Sequence, residues 1–177
     1  MDWQTFWLIL ADAYREDAIE HVNALQERLA ELRWFEILDF HSRFHEAIAK
    51  ANTPELLAAA LLINGDTSAD GFRDFRVWLV SRGRHTYEHA LRDADSLADA
   101  LAGDPVDGFG FLTAALRVYE QKTGMSDFYA RWIERDTTQP TPEIPAVLDS
   151  DETAIRKQLP RLAASYPPLP ATDDDSD

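Results

Sequence analysis

Four of the five histidines in this 177-residue chain fall in pairs four positions apart, His41 with His45 and His85 with His89. On an α-helix that spacing puts both imidazoles on one face, the geometry of half a zinc site. Neither pair sits in an HExxH sequence. His41 and His45 share a helix side with Trp34, Leu38 and Ile48, whereas His85 and His89 lie with Arg92, opposite Tyr87, Ala90 and Leu91. The expectation is therefore one half-buried pair, one solvated pair and no metal site. His41 and His45 are the metal-ligand candidates should a facing helix complete the donor set.

A second constellation lies between residues 70 and 95. Arg76 and Arg84 flank Gly83, Trp78 and Tyr87 stand on successive helices, and Asp70, Glu88 and Asp95 are carboxylates within reach along the chain. Arginines held against aromatic faces and carboxylates make a stiff polar brace. Read structurally, the brace sets the angle between two helices. Read functionally, Arg76, Arg84 and Tyr87 form a pocket for an anion or carboxylate, with Asp70, Trp78 and Glu88 as further ligand-binding candidates. No glycine-rich phosphate loop accompanies them, and no cofactor is implied. Nucleophilic catalysis has little support: there is no cysteine and no GxSxG elbow. Paired carboxylate chemistry depends on neighbours in space, so whether the protein is an enzyme stays open.

Helices have to position both sets. Apolar residues recur every three to four positions almost throughout, and no window alternates as a strand would. Trp3, Phe6, Trp7, Leu10 and Tyr14 form a first stripe, with Asp2 as its cap. Ile19, Val22, Leu25 or Gln26, Leu29 and Leu32 form a second. A third helix, from about Trp34 to Ala51, turns Trp34, Ile37, Leu38, Phe44 and Ile48 inward and Glu36, Asp39, Arg43, Glu46 and Lys50 outward. Thr53-Pro54-Glu55 is a helix start by capping hydroxyl, first-turn proline and first-turn acid. The segment from Leu56 to Ile63 is almost wholly apolar, which predicts burial on most sides, and Asn64-Gly65 stops it.

Ser68 caps the next helix, whose core face is Phe72, Phe75, Trp78 and Leu79 and whose end needs a left-handed residue at Gly83. The chain resumes through Tyr87, Ala90 and Leu91. Asp93 or Asp95 opens a short helix through Leu97 and Leu101, which Gly103-Asp104-Pro105 ends. Phe111, Leu112, Ala115, Leu116 and Tyr119 give another stripe, then Phe128, Tyr129, Trp132 and Ile133. The fold class is all-α: a single compact domain of eight or nine helices over residues 1–135, followed by a Pro-rich acidic tail over residues 136–177.

That tail has three prolines between Pro140 and Pro145, one helical segment at about 150–159 with Ile155, Leu159 and Leu162 on a face, and Pro160 to end or kink it. The final SYPPLPATDDDSD is expected to be disordered or loosely attached.

Phe6-Trp7, Asp70-Gly71-Phe72, Phe75-Arg76, Trp78-Leu79, Gly83-Arg84, Tyr87, Ala90-Leu91, Asp95 and Leu97-Ala98 together resemble the pattern of a bacterial family known as domain of unknown function 4240. The resemblance spans about Trp3 to Leu101. Ala69 stands where the family often has an acid, Ala94 where it often has proline, and Leu56-Leu57 where tryptophan is common. The family carries no activity to transfer, so the resemblance implies a bacterial helical fold and no reaction.

Composition bounds the rest. Apolar residues make up 45% and aromatics 11%, enough for a core. The net charge is −15, with 14 basic and 23 acidic side chains in residues 1–135 and 3 and 9 in residues 136–177. That field repels nucleic acid and anionic membranes, and it serves solubility more readily than nucleic-acid mimicry. The N-terminal apolar run is short and lacks a basic leader, so neither a signal peptide nor a span is expected. A cysteine-free acidic chain suits the cytoplasm. The function expected is a non-enzymatic protein-interaction or regulatory module, with a protein as partner. The alternative is a domain that binds or transforms a small anion or carboxylate at Arg76, Arg84 and Tyr87.

Overall fold

The computed structural model describes residues 1–65, 68–100, 108, 110–135 and 152–167. Among these residues every regular element is helical. α1 (Trp3–Ala13) starts where the Asp2 carboxylate accepts from the Thr5 backbone N–H at 2.7 Å. α2 (Ala18–Ala30) starts in the same way at Asp17. α3 (Trp34–Lys50) is opened by Glu36, whose carboxylate accepts from both the backbone and the guanidinium of Arg33. Thr53 and Pro54 begin α4 (Pro54–Asn64), and Gly65 ends it at φ 68°. Ser68 caps α5 (Ala69–Ser81). Gly83 takes φ 85° and leads into α6 (Arg84–Arg92), supplying the left-handed joint that the sequence requires.

A 3-10 turn (Ala94–Ser96) and α7 (Leu97–Ala100) follow, then α8 (Phe111–Thr123) and α9 (Phe128–Arg135). The stop expected at Gly103-Asp104-Pro105 lies outside the described residues. So do the proline-rich segment 136–151 and the chain beyond Pro167. Two more helices, α10 (Glu152–Gln158) and α11 (Pro160–Ser165), complete the described chain. No helix among the described residues is long and apolar enough to cross a membrane.

α3 is the hub, packing against α1, α5, α8 and α9. Its inward face meets Phe6 of α1, whose ring centroid lies 5.2 Å from Phe40 and 6.3 Å from Phe44. Phe72, Phe75, Leu79 and Val80 of α5 are fully buried, as are Leu56, Ala59 and Ala60 of α4. The core face that the spacing predicts for α5, Phe72, Phe75, Trp78 and Leu79, is buried.

Some stripes are rotated from expectation. Ile19 is 73% exposed, because the inward line of α2 runs through His21, Leu25 and Leu29. Tyr129 and Ile133 are exposed too. α9 docks along one narrow seam, Phe128 and Trp132, and the next position along a helix is turned away by about 100°. Trp34, at the first position of α3, covers Tyr119 edge-on and stays partly in solvent.

Residues 152–167 form two helices where the sequence points to one segment. Pro160 both ends α10 and starts α11, where a missing N–H costs nothing. Ile155, Leu159 and Leu162 are buried, as their common face predicts, and α11 packs on α4, α7 and the 3-10 turn. Asp95 fastens it. Its carboxylate accepts from the Arg161 backbone N–H at 3.1 Å and from that of Leu162 at 2.9 Å, while Arg161 pairs with Asp99. Asp95 therefore braces the C-terminal helices and not an arginine of the central block.

Candidate functional site

Four helices of the hub enclose a cleft of about 500 Å³. α3 contributes His41, His45, Ile48 and Ala49, which one helix face must bring together at offsets of four, seven and eight. Arg73 and Arg76 come from α5 by the same rule, and Tyr129 and Trp132 from α9. Leu112 and Thr113 of α8 close the set. No Asp or Glu is among these lining residues.

Arg76 is the buried charge of the cleft, with only 7% of its surface exposed. Its Nε donates to the Phe72 carbonyl and its Nη1 to the Ile48 carbonyl, both at 3.3 Å, and its guanidinium carbon lies 4.6 Å over the Phe72 ring. Nη2 has no acceptor, and no carboxylate pairs with the side chain, among the described residues. Burial, with the Arg73 charge nearby, holds its pKa below the ordinary arginine range. It stays protonated all the same. Ile48 is in the last turn of α3, whose carbonyls lack helical partners and carry partial negative charge. Arg73 is more exposed and is shared loosely between Asp70 at 3.4 Å and Asp74 at 3.9 Å.

Opposite chemistry lines the other wall. Trp132 packs against both histidines of α3, edge-on to His41 with centroids 4.6 Å apart and tilted to His45 at 4.8 Å. Its indole N–H donates to the Ser42 hydroxyl at 2.9 Å, which fixes the ring plane. His41 is buried and His45 half-buried, as their helix side predicts. The His41–His45 pair and the exposed His85–His89 pair do not come together. The second pair borders a separate hollow of about 290 Å³ with Ser96, Leu97 and Asp99. Among the described residues no three side chains of metal-ligating type are placed to hold one ion.

Of the six ligand-binding candidates, the structure brings only Arg76 into the cleft. Arg84 pairs on the surface with Glu88 at 2.7 Å. Asp70 is exposed beside Arg73. Trp78 is core, against Phe75. Tyr87 is buried, and its hydroxyl donates to the Ala47 carbonyl at 2.9 Å. Burial, reinforced by the Glu46 and Glu88 carboxylates, lifts the Tyr87 pKa well above the usual phenol range, so it is a fixed donor. A brace does exist, with a different target. Arg76 from α5 and Tyr87 from α6 both donate to the C-terminal carbonyls of α3, so each helix is tied to the hub and not to the other.

Sequence reasoning missed Arg73, Trp132 and Tyr129 as neighbours of Arg76. Arg73 was within reach, three positions before Arg76 on a helix. The α9 pair was not, since nothing local aims it at α3. It also missed the fifth histidine. His21 is 3% exposed between the rings of Phe111 and Tyr14, and burial, with the Arg82 and Arg15 charges, pushes its pKa down to about 4.

The architecture is thus an all-helical domain with a cationic, aromatic-walled cleft at its hub. The family described as protein of unknown function (DUF4240) matches residues 1–121, and the chain belongs to it. The match bears out the resemblance carried by the central block and extends it into α8. The α3, α5 and α8 walls of the cleft fall inside the matched residues, and the α9 wall beyond them. No curated protein and no solved structure matches the chain.

Proposed function

We propose that this domain is a binding module for a small anion, held in the cleft between α3, α5, α8 and α9 with Arg76 as the selecting charge. One observation carries the reading. In a chain with 32 acidic residues, the described residues that line this cleft include two arginines and two histidines and no carboxylate. A buried cation without a counter-ion costs on the order of several kcal/mol. The carbonyl end of α3 offsets part of that cost, and a bound anion would offset more. The volume falls in the range of ligand pockets, roughly 300–1,000 Å³. This keeps the anion-binding alternative but moves its centre, since Arg84 and Tyr87 leave the site. The absence of cysteine and the net charge of −15 support a cytoplasmic setting.

Thermal unfolding of the full chain against inorganic phosphate and acetate tests the reading. A ligand at one hundred times its Kd adds about 2.7 kcal/mol, which for a domain of this size raises Tm by roughly 5–10 °C. The rise should vanish in Arg76→Gln. Equal shifts in both proteins would refute it.

A second reading, docking of a protein partner, has Tyr129 and Ile133 in its favour. Ile133 is 65% exposed, and Tyr129, one turn before it at the edge of the cleft, is 48% exposed, so the two offer an apolar patch on α9. Ile133→Asp should abolish capture of any such partner and leave anion binding intact.

A further inference from the structure

We infer that the ligand of the cleft is a planar aromatic carboxylic acid carried as its monoanion, its carboxylate on Arg76 and its ring against Trp132 and His45. The inference rests on the anion-binding reading and deepens it.

Three features point to this class. The first is charge count. Arg76 is the one buried arginine of the cleft, and Arg73 is already shared with Asp70 and Asp74. A single negative charge is matched, and a second would have no cation of its own. Two nitrogens of Arg76 are committed to carbonyls of Phe72 and Ile48, which fixes the guanidinium plane and leaves Nη2 to donate. A charged N–H donor fixed in this way suits one oxygen of a carboxylate.

The second is size. A cleft of about 500 Å³ is far larger than a bare inorganic ion requires. A water molecule's share of liquid volume is only about 30 Å³. The ligand therefore brings a body as well as a charge.

The third is the wall. The Trp132 indole, locked by its bond to Ser42, packs edge-on against the buried His41 at 4.6 Å and tilted by 43° against the half-buried His45 at 4.8 Å, which holds the indole face toward the cleft. Ile48 and Leu112 add aliphatic surface. A pre-oriented indole face selects a flat partner by offset stacking, with the tilted His45 ring meeting its edge, and keeps it with little loss of freedom. None of the described lining side chains is a carboxylate, and Asp70 and Asp74 nearby are held on Arg73, so the lining favours an acid over an amine.

Isothermal titration calorimetry on the full 177-residue chain provides the test, with 2-naphthoate, 2-naphthamide, acetate and inorganic phosphate as probes. 2-Naphthoate should bind at least about tenfold more tightly than its neutral amide, for want of a charge on Arg76, and more tightly than acetate, for want of a ring. Trp132→Leu should weaken 2-naphthoate about three- to tenfold and leave acetate unchanged, and Trp132→Phe should recover most of the loss. The amide and acetate comparisons use the wild-type protein, so they stand even if a variant fails to fold. If acetate or phosphate binds as tightly as 2-naphthoate and loses affinity in Arg76→Gln, the anion site stands and the aromatic assignment is overturned. If the amide equals the acid, or no probe depends on Arg76, both fall.

Discussion

Asp95 offers a graded test of how the C-terminal helices are held. Its carboxylate is 8% exposed and takes two backbone donors, Arg161 N–H at 3.1 Å from each oxygen and Leu162 N–H at 2.9 Å from Oδ1. Hydrogen bonds to an ionised group contribute roughly 1.5–3 kcal/mol each, and neutral ones roughly 0.5–1.5. In Asp95→Asn both donors can still reach Oδ1, so the loss is the charge assistance alone, about 2 kcal/mol for the pair. Asp95→Ala removes both acceptors and should cost about 4 kcal/mol. Burial of Ile155, Leu159 and Leu162, about 1.5–3 kcal/mol each, keeps α10 and α11 docked in the asparagine variant and leaves them marginal in the alanine variant. Hydrogen–deuterium exchange reads this directly. Amides of residues 152–167 should exchange about 30-fold faster in Asp95→Asn and about a thousandfold faster in Asp95→Ala, at tenfold per 1.4 kcal/mol. Amides of α3 serve as the internal control. Unchanged exchange over residues 152–167 in a folded Asp95→Ala protein would refute the clasp. Equal acceleration in α3 would show that Asp95 acts on the core instead.

Three other perturbations follow from the structure. His21 is held neutral by burial, with a folded pKa near 4 against an ordinary value of 6.5. The unfolded chain therefore takes up its proton first, so stability is full above pH 6.5 and falls as pH drops toward 4. Between pH 7 and pH 5 the wild type should lose roughly 2 kcal/mol in urea melts that His21→Leu does not lose; parallel curves would exclude the effect. Tyr87→Phe removes the bond to the Ala47 carbonyl and should lower Tm by about 2–4 °C for a loss of about 1 kcal/mol, with no change in anion affinity. A shift in affinity would return Tyr87 to the site. At Gly108 a Cβ would stand 2.5 Å from the Asp74 carbonyl oxygen and 2.8 Å from Val77 Cβ, so Gly108→Ala should destabilise by about 1–3 kcal/mol in chemical denaturation. A neutral result would mean that the segment gives way without cost.

Local physics explains what the residues reveal by themselves. Asp2, Thr53-Pro54, Ser68 and Gly83 mark helix ends because capping and left-handed turns depend on one or two neighbouring residues. The apolar period places Phe6, Phe44, Phe72 and Phe75 inside because one helix face must leave water whatever it meets. The same logic separates a half-buried His41–His45 pair from an exposed His85–His89 pair. Helix membership of Arg76 and Tyr87 is legible in this way, and so is their inward phase.

Partners are a different matter. Arg84 looks like a companion to Arg76 in the sequence and is spent on Glu88, one turn along its own helix. Tyr87 and Arg76 converge on the last turn of α3, some 30 to 40 residues away, because that turn has carbonyls to satisfy. Trp132 meets His41 and His45 from about 90 positions downstream, and Asp95 finds its donors across 66. Amphipathic periodicity specifies which face of a helix is buried but not which neighbour it packs against, and charge or hydroxyl chemistry does not reveal which distant carbonyl it will meet. The chain alone therefore determined the helices, their ends and their inner faces. Only the packing of α3, α5, α8 and α9 against one another decided that a buried arginine would share a cleft with a wall of rings.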